Sequence, residues 1–211
     1  MFRFLSLIAF FMTLGWLVHA LRSNSIGFAS AASRVSRAVK NIFVSFAHLR
    51  SLSSKDFSNR LLFPLTLVFI LILALTGFLP QIILGNHMSG YLLVLHIVAG
   101  PPFSLCMVTI GLLWADKHRF DKNDWAALKT LPNKRSKTRR KRAINLWQKV
   151  CFWLIMMLAL SIIFSIVSSM YKILGMHGQE FFLQLHRYSA LFIVILTIIY
   201  TYIVKVLKPS I

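Results

Sequence analysis

The chain has 211 residues, 57% of them apolar, and a formal net charge of +19. So apolar a chain excludes an ordinary soluble domain and points to membrane-spanning helices. The excess of Lys and Arg would suit nucleic acid, but these residues sit in linkers between apolar runs, so membrane topology accounts for them and nucleic-acid binding is set aside.

Residues 2–21 are almost wholly apolar, broken only by Arg3. Their end, Val18-His19-Ala20, would pass as a signal-peptidase site. Cleavage there would send residues 22–60 outside. That stretch carries Arg22, Arg34, Arg37, Lys40, Arg50, Lys55 and Arg60 against the single acid Asp56, which fits the cytoplasm. The preferred reading is an uncleaved extra transmembrane helix with its N-terminus outside. A signal peptide or signal anchor is the alternative.

Within this basic segment, Val35, Val39, Ile42, Phe46 and Leu49 recur at helical spacing, with Arg34, Arg37, Lys40, Asn41 and His48 on other faces. The pattern predicts an amphipathic helix over 26–50. It lies on the anionic inner leaflet or serves as a docking surface for a partner subunit.

Four runs long enough for about 30 Å of hydrocarbon follow. They cover roughly 61–84, 90–114, 147–173 and 180–206. The predicted architecture is therefore an all-α membrane protein. A four-helix bundle within 61–211 follows the N-terminal helix (1–21) and the basic amphipathic segment (22–60). The loop 116–146 is the most basic part of the chain, with Lys134, Arg135, Lys137, Arg139, Arg140, Lys141 and Arg142. The short connections near 85–89 and 174–179 contain no Lys or Arg. Positive charge stays inside, so the basic loop and the C-terminal tail (Lys205, Lys208) are assigned to the cytoplasm and the short turns to the outside.

One pattern occurs twice. Leu84-Gly85-Asn86-His87 is followed by His96, and Leu174-Gly175-Met176-His177 by His186, 90 residues later. Leu93 and Leu95 recur as Leu183 and Leu185. His96 lies six residues past Gly90 and His186 six past Glu180. On helices starting at those points, both reach about 9 Å deep at 1.5 Å per residue. Two imidazoles at equal depth on parallel helices are a pattern with which helical bundles hold a haem. Four residues beyond each is a small residue on the same face, Gly100 and Ala190, which would let a flat macrocycle approach. The alternative is a pair of structural histidines joining helices. Intramembrane histidine is costly and usually functional, which favours the haem.

His87 and His177 lie nine residues before these, about two and a half turns, and so point the opposite way. They are interfacial residues, or they touch haem propionates or a partner. Arg187 either neutralises a propionate or snorkels to the outer headgroups. Cys106 and Cys151 have no CxxC, haem-attachment or zinc spacing and read as buried free thiols. The five acids, Asp56, Asp116, Asp121, Asp124 and Glu180, form no paired-carboxylate site. The glycines of the outer turns lack phosphate-loop spacing.

Asn145-Leu146-Trp147-Gln148-Lys149-Val150-Cys151-Phe152-Trp153 resembles the N-x-x-Q-K-x-x-F-W start of the third helix in the formate dehydrogenase cytochrome b (gamma) subunits. Leu185-His186-Arg187 with Ala190 resembles their fourth-helix L-H-R-x-x-A. Gly90 to His96 resembles their second-helix G-x-x-x-x-x-H, and Arg60 and Leu75-Thr76-Gly77 fit the first helix. The resemblance covers about residues 58–206. It implies a four-helix anchor that passes electrons between an iron–sulfur subunit and quinone through two haems b, with His96 and His186 binding the outer one.

The chain departs from that family at the inner haem. The first-helix ligand is missing from Leu61-Leu62-Phe63-Pro64, and its fourth-helix partner position is Tyr200. Both inner ligands are lost together, which implies a one-haem variant. A single outer haem does not cross the membrane, so quinone would bind in the vacated inner space or near the outer haem. The expectation is an electron-transfer subunit of a redox complex in the plasma membrane. It would hold one haem b and face an iron–sulfur or cytochrome partner outside. The alternative is a haem-free anchor or assembly subunit. A transporter or channel would need more intramembrane charge or interrupted helices.

Overall fold

The computed structural model describes residues 2–23, 33, 61–85, 88–122, 124, 137–171 and 175–204. Among the described residues all regular structure is helical. The order is α1 (Phe2–Ser23), α2 (Phe63–Leu79) continued by a π-helical turn (Pro80–Leu84), α3 (Gly90–Trp114), a 3-10 turn (Asp116–His118), α4 (Lys137–Met170) and α5 (Gly175–Tyr202). All five α-helices are long and apolar enough to cross a membrane, so the chain is an all-α membrane protein. The expected amphipathic helix over 26–50, His87, Lys205 and Lys208 lie outside the described residues.

Two helices begin earlier than their apolar runs. The third predicted span starts at 147, yet α4 starts at Lys137, because Lys and Arg are good helix formers and nothing from Lys137 to Trp147 breaks the helix. The fourth, expected from 180, starts at Gly175, which adopts φ +64°. Hydropathy measures the part that fits hydrocarbon, and these helices extend beyond it. α3 runs unbroken through Pro101 and Pro102.

The chain divides into two units, Met1–Ile110 and Gly111–Ile211. In the first, α1 packs beside α2, with Phe2 stacked on Phe78 at 6.2 Å and Phe10 edge-on to the same ring at 5.4 Å. Arg3 lies against Gly85, where a Cβ would come within 3.1 Å of its Nη1. Thr66, Ile70 and Thr76 on α2, with Ala99, Phe103, Cys106, Met107 and Ile110 on α3, are buried. Leu71, Leu75 and Leu79 form one exposed stripe, and Leu105, Val108 and Leu112 another, at helical spacing. Such stripes suit contact with lipid rather than water.

The second unit is centred on the α4–α5 hairpin. Ser165–His186, Ser161–Ser189 and Gln148–Tyr200 follow one another down it in antiparallel register. Cys151, Phe152, Ile155 and Ala159 face inward on α4, and Leu191, Ile193 and Thr197 on α5. Both cysteines are buried free thiols, as their spacing predicted.

Candidate functional site

The two intramembrane histidines are mounted alike, each within its own unit. The LG pattern explains the local geometry. Gly85 and Gly175 both adopt left-handed backbone, with φ +70° and +64°, which glycine enters without a Cβ penalty. Each glycine separates an outgoing helix from a returning one. The returning helix brings its histidine back beside the hydroxyl of a residue about ten positions before the glycine.

In the first unit that residue is Thr76. Its Oγ1 is 2.8 Å from His96 Nδ1 and 2.8 Å from the Ile72 carbonyl. A carbonyl only accepts, so the single hydroxyl proton goes to Ile72, and His96 Nδ1–H donates to the hydroxyl oxygen. The tautomer is thereby set, with the lone pair on Nε2. Gly77 makes room for the ring: a Cβ there would stand 3.3 Å from His96 Cε1.

Ser165 repeats the arrangement in the second unit. It is fully buried and donates to the Ile162 carbonyl at 2.8 Å. His186 Nδ1 lies 3.4 Å from the Ser165 hydroxyl, whose own proton goes to the Ile162 carbonyl. His186 therefore takes the same tautomer on a looser hydroxyl contact. The next pair down, Ser161 and Ser189, meets at 3.1 Å.

The other predicted residues fall as follows. Arg187, Gly100 and Ala190 are half-buried, and a Cβ at Gly100 would meet nothing within 4 Å. His177 is exposed on the first turn of α5 and shares that helix with His186, nine residues on, so the two point to opposite sides. Because α5 starts at Gly175, His186 is eleven residues into its helix while His96 is six into α3. The count of six is matched at His186 only from Glu180, where the fourth apolar run begins. Among the described residues no three His, Cys, Asp or Glu cluster.

Sequence reasoning missed three contributors. Thr76 and Gly77 were part of a family-like motif without a role, and Ser165 carried no signal of its own. The spacing shared by both halves, a hydroxyl nine or ten residues before the LG glycine and a histidine eleven after it, would have found both hydroxyls. His118 was missed too. It is buried under the 3-10 turn and bonded to Tyr200.

Beyond the 3-10 turn, Asp124 pairs with Lys149 of α4. Partial burial pushes its carboxyl up. The Lys149 hydrogen bond, the Asp121 backbone N–H and the Lys149 charge outweigh that and hold it below the usual value. The pair ties the residues after the 3-10 turn to α4, about three turns past its start.

Protein-family models, curated proteins and solved structures yield no match to this chain, and no family is assigned to it.

Proposed function

We propose that the chain is an integral-membrane b-type cytochrome subunit holding one haem b through His96 and His186. The observation that supports this is their common mounting. Each imidazole gives Nδ1–H to a hydroxyl of the preceding helix and so carries its lone pair on Nε2. Metal-binding histidines are oriented by acceptors of this kind on the opposite ring nitrogen. An imidazole in a membrane span is costly without such a task.

The neighbouring residues suit the group. Leu92, Leu93 and Leu95 beside His96, and Leu183 beside His186, present exposed apolar surface for a porphyrin to cover. Gly100 and Ala190 keep the face one turn further on low. Arg187 is next to His186 for a propionate. When bound, haem b supplies a one-electron iron couple whose potential follows from its axial ligands and burial. His96 and His186 would hold the group, with Thr76 and Ser165 fixing their tautomers.

In this reading the chain is an electron-transfer subunit rather than a stand-alone enzyme. It lies in the plasma membrane with loop 116–146 and the C-terminus in the cytoplasm. Its partners are an iron–sulfur or cytochrome subunit on the outer face and the quinone pool or another carrier.

The test is a reduced-minus-oxidised absorption spectrum of the purified chain with haem quantified. One low-spin haem b per chain is expected. His96→Ala or His186→Ala should abolish it, and His87→Ala or His177→Ala should leave it. Absence of haem after expression with ample haem would refute the reading in favour of a haem-free anchor. Two haems per chain would refute the single pair.

A further inference from the structure

The second unit holds another buried imidazole, separate from the repeated pattern. His118 closes the 3-10 turn and is 5% exposed, although Asp116, Lys117 and Arg119 around it are exposed. Its Nδ1 is 3.0 Å from the Trp114 carbonyl. Nδ1 must therefore donate, and Nε2 accepts from the Tyr200 hydroxyl at 3.3 Å. Phe152 stacks on the ring at 4.0 Å, and Trp153 Nε1 donates to the His118 carbonyl at 3.0 Å. Tyr200 is buried, and its hydroxyl also meets Gln148.

A second observation points to a ligand. Thr197 and Thr201 flank Tyr200 on α5, and both hydroxyls are buried without a hydrogen-bond partner. Thr197 is only 8% exposed. Elsewhere in this chain threonine hydroxyls give their proton to the carbonyl four residues back, as Thr13, Thr66 and Thr109 do. A buried hydroxyl that does not is destabilising unless something else bonds it, and in protein interiors that is ordinarily water.

We propose that His118, Tyr200, Thr197 and Thr201 form a hydrated proton-exchange site beneath the charged turn. Water bonds the two threonine hydroxyls, and a proton passes through the Tyr200 hydroxyl to His118. A hydronium O–H bond breaks as Tyr200 takes that proton. The Tyr200 proton moves to Nε2, forming an N–H bond, so the positive charge ends on the imidazolium and the phenol stays neutral. No electron moves. Among the described residues, the titratable and charged groups beside His118 and Tyr200 include Asp116, Lys117 and Arg119 on the turn and Cys151 on α4, which acts on Tyr200. In a haem-loaded chain, uptake here would balance the charge of an arriving electron. Only that link rests on the haem reading.

The site is tested by pH-difference infrared spectroscopy of the full chain in lipid nanodiscs, with ring-labelled tyrosine and no haem required. A tyrosine C–O band that shifts with pH, and with D2O within minutes, is expected. Tyr200→Phe should remove it, and His118→Gln should remove its pH shift. Thr197→Val should lower the thermal midpoint, because the water loses an anchor. A pH-insensitive band, exchange over hours, or a midpoint raised by Thr197→Val would overturn the proposal, since deleting an orphan hydroxyl from a dry site stabilises. The valine variant keeps its shape even if the Tyr200 variant fails to fold.

Discussion

Thr76→Val is the sharpest test of the histidine mounting. Valine keeps the volume of threonine and removes the oxygen 2.8 Å from His96 Nδ1. The Nδ1–H then loses its acceptor in an apolar span, at a cost of about 1–3 kcal/mol. Losing an outer partner of a metal ligand lowers metal affinity by about 10–100-fold, roughly 1.4–2.8 kcal/mol, so two independent estimates agree. The assay is titration of haem into the haem-depleted chain in nanodiscs, followed through the low-spin absorption band. Affinity should fall by that factor, and the reduced band should broaden as the ring loses its fixed orientation. Thr66→Val is the control. Thr66 is buried on the same helix, and its hydroxyl donates to the Leu62 carbonyl, ten residues before the site. Equal losses in both variants, or none in Thr76→Val, would refute the argument that this hydroxyl orients an iron ligand.

Gly77→Ala should weaken haem binding without unfolding the chain, because its Cβ would stand 3.3 Å from His96 Cε1 and displace the ring by a few tenths of an ångström. The same titration measures it. Gly85→Ala should lower the thermal midpoint more than Gly175→Ala. Both have left-handed backbone, at about 1–2 kcal/mol for an added Cβ, but only at Gly85 would the new atom also meet Arg3. Equal shifts would refute the Arg3 contact. The Asp124–Lys149 pair should give stability that is full above the carboxyl's ordinary titration range and fades as pH falls through its lowered native value. Thermal melts of the wild type and Asp124→Asn should therefore differ at neutral pH and converge in acid.

Much of the fold was legible because hydrocarbon thickness imposes a minimum run of about 20 apolar residues, which no soluble element requires. The repeated Leu-Gly was legible for a different reason. Gly85 and Gly175 both need positive φ, and each sets the register of the hairpin that follows. The helix starts at Lys137 and Gly175 were not, because hydropathy reports immersion and is blind to helix that continues into water. Ser165 was illegible alone. A serine in a span is ordinarily packing glue, and only the hairpin register reveals which serine meets a histidine.

The same register argument sets His118 apart from His96 and His186. Their hydroxyls come from the facing helix at the point where the LG turn returns the chain, so the two sites are duplicates of one device. His118 has no counterpart in the repeat. The position 90 residues later is Lys208, beyond the last span. It sits on a turn rather than in a helix, and its Nδ1–H is taken by a backbone carbonyl rather than a side chain. Its Nε2 faces a phenol that itself carries an exchangeable proton. A hydroxyl that has spent its proton on a carbonyl, like Thr76 or Ser165, can only hold an imidazole in place. The Tyr200 hydroxyl, whose proton is directed at Nε2, can also hand that proton over. That difference in who donates separates His118 from His96 and His186.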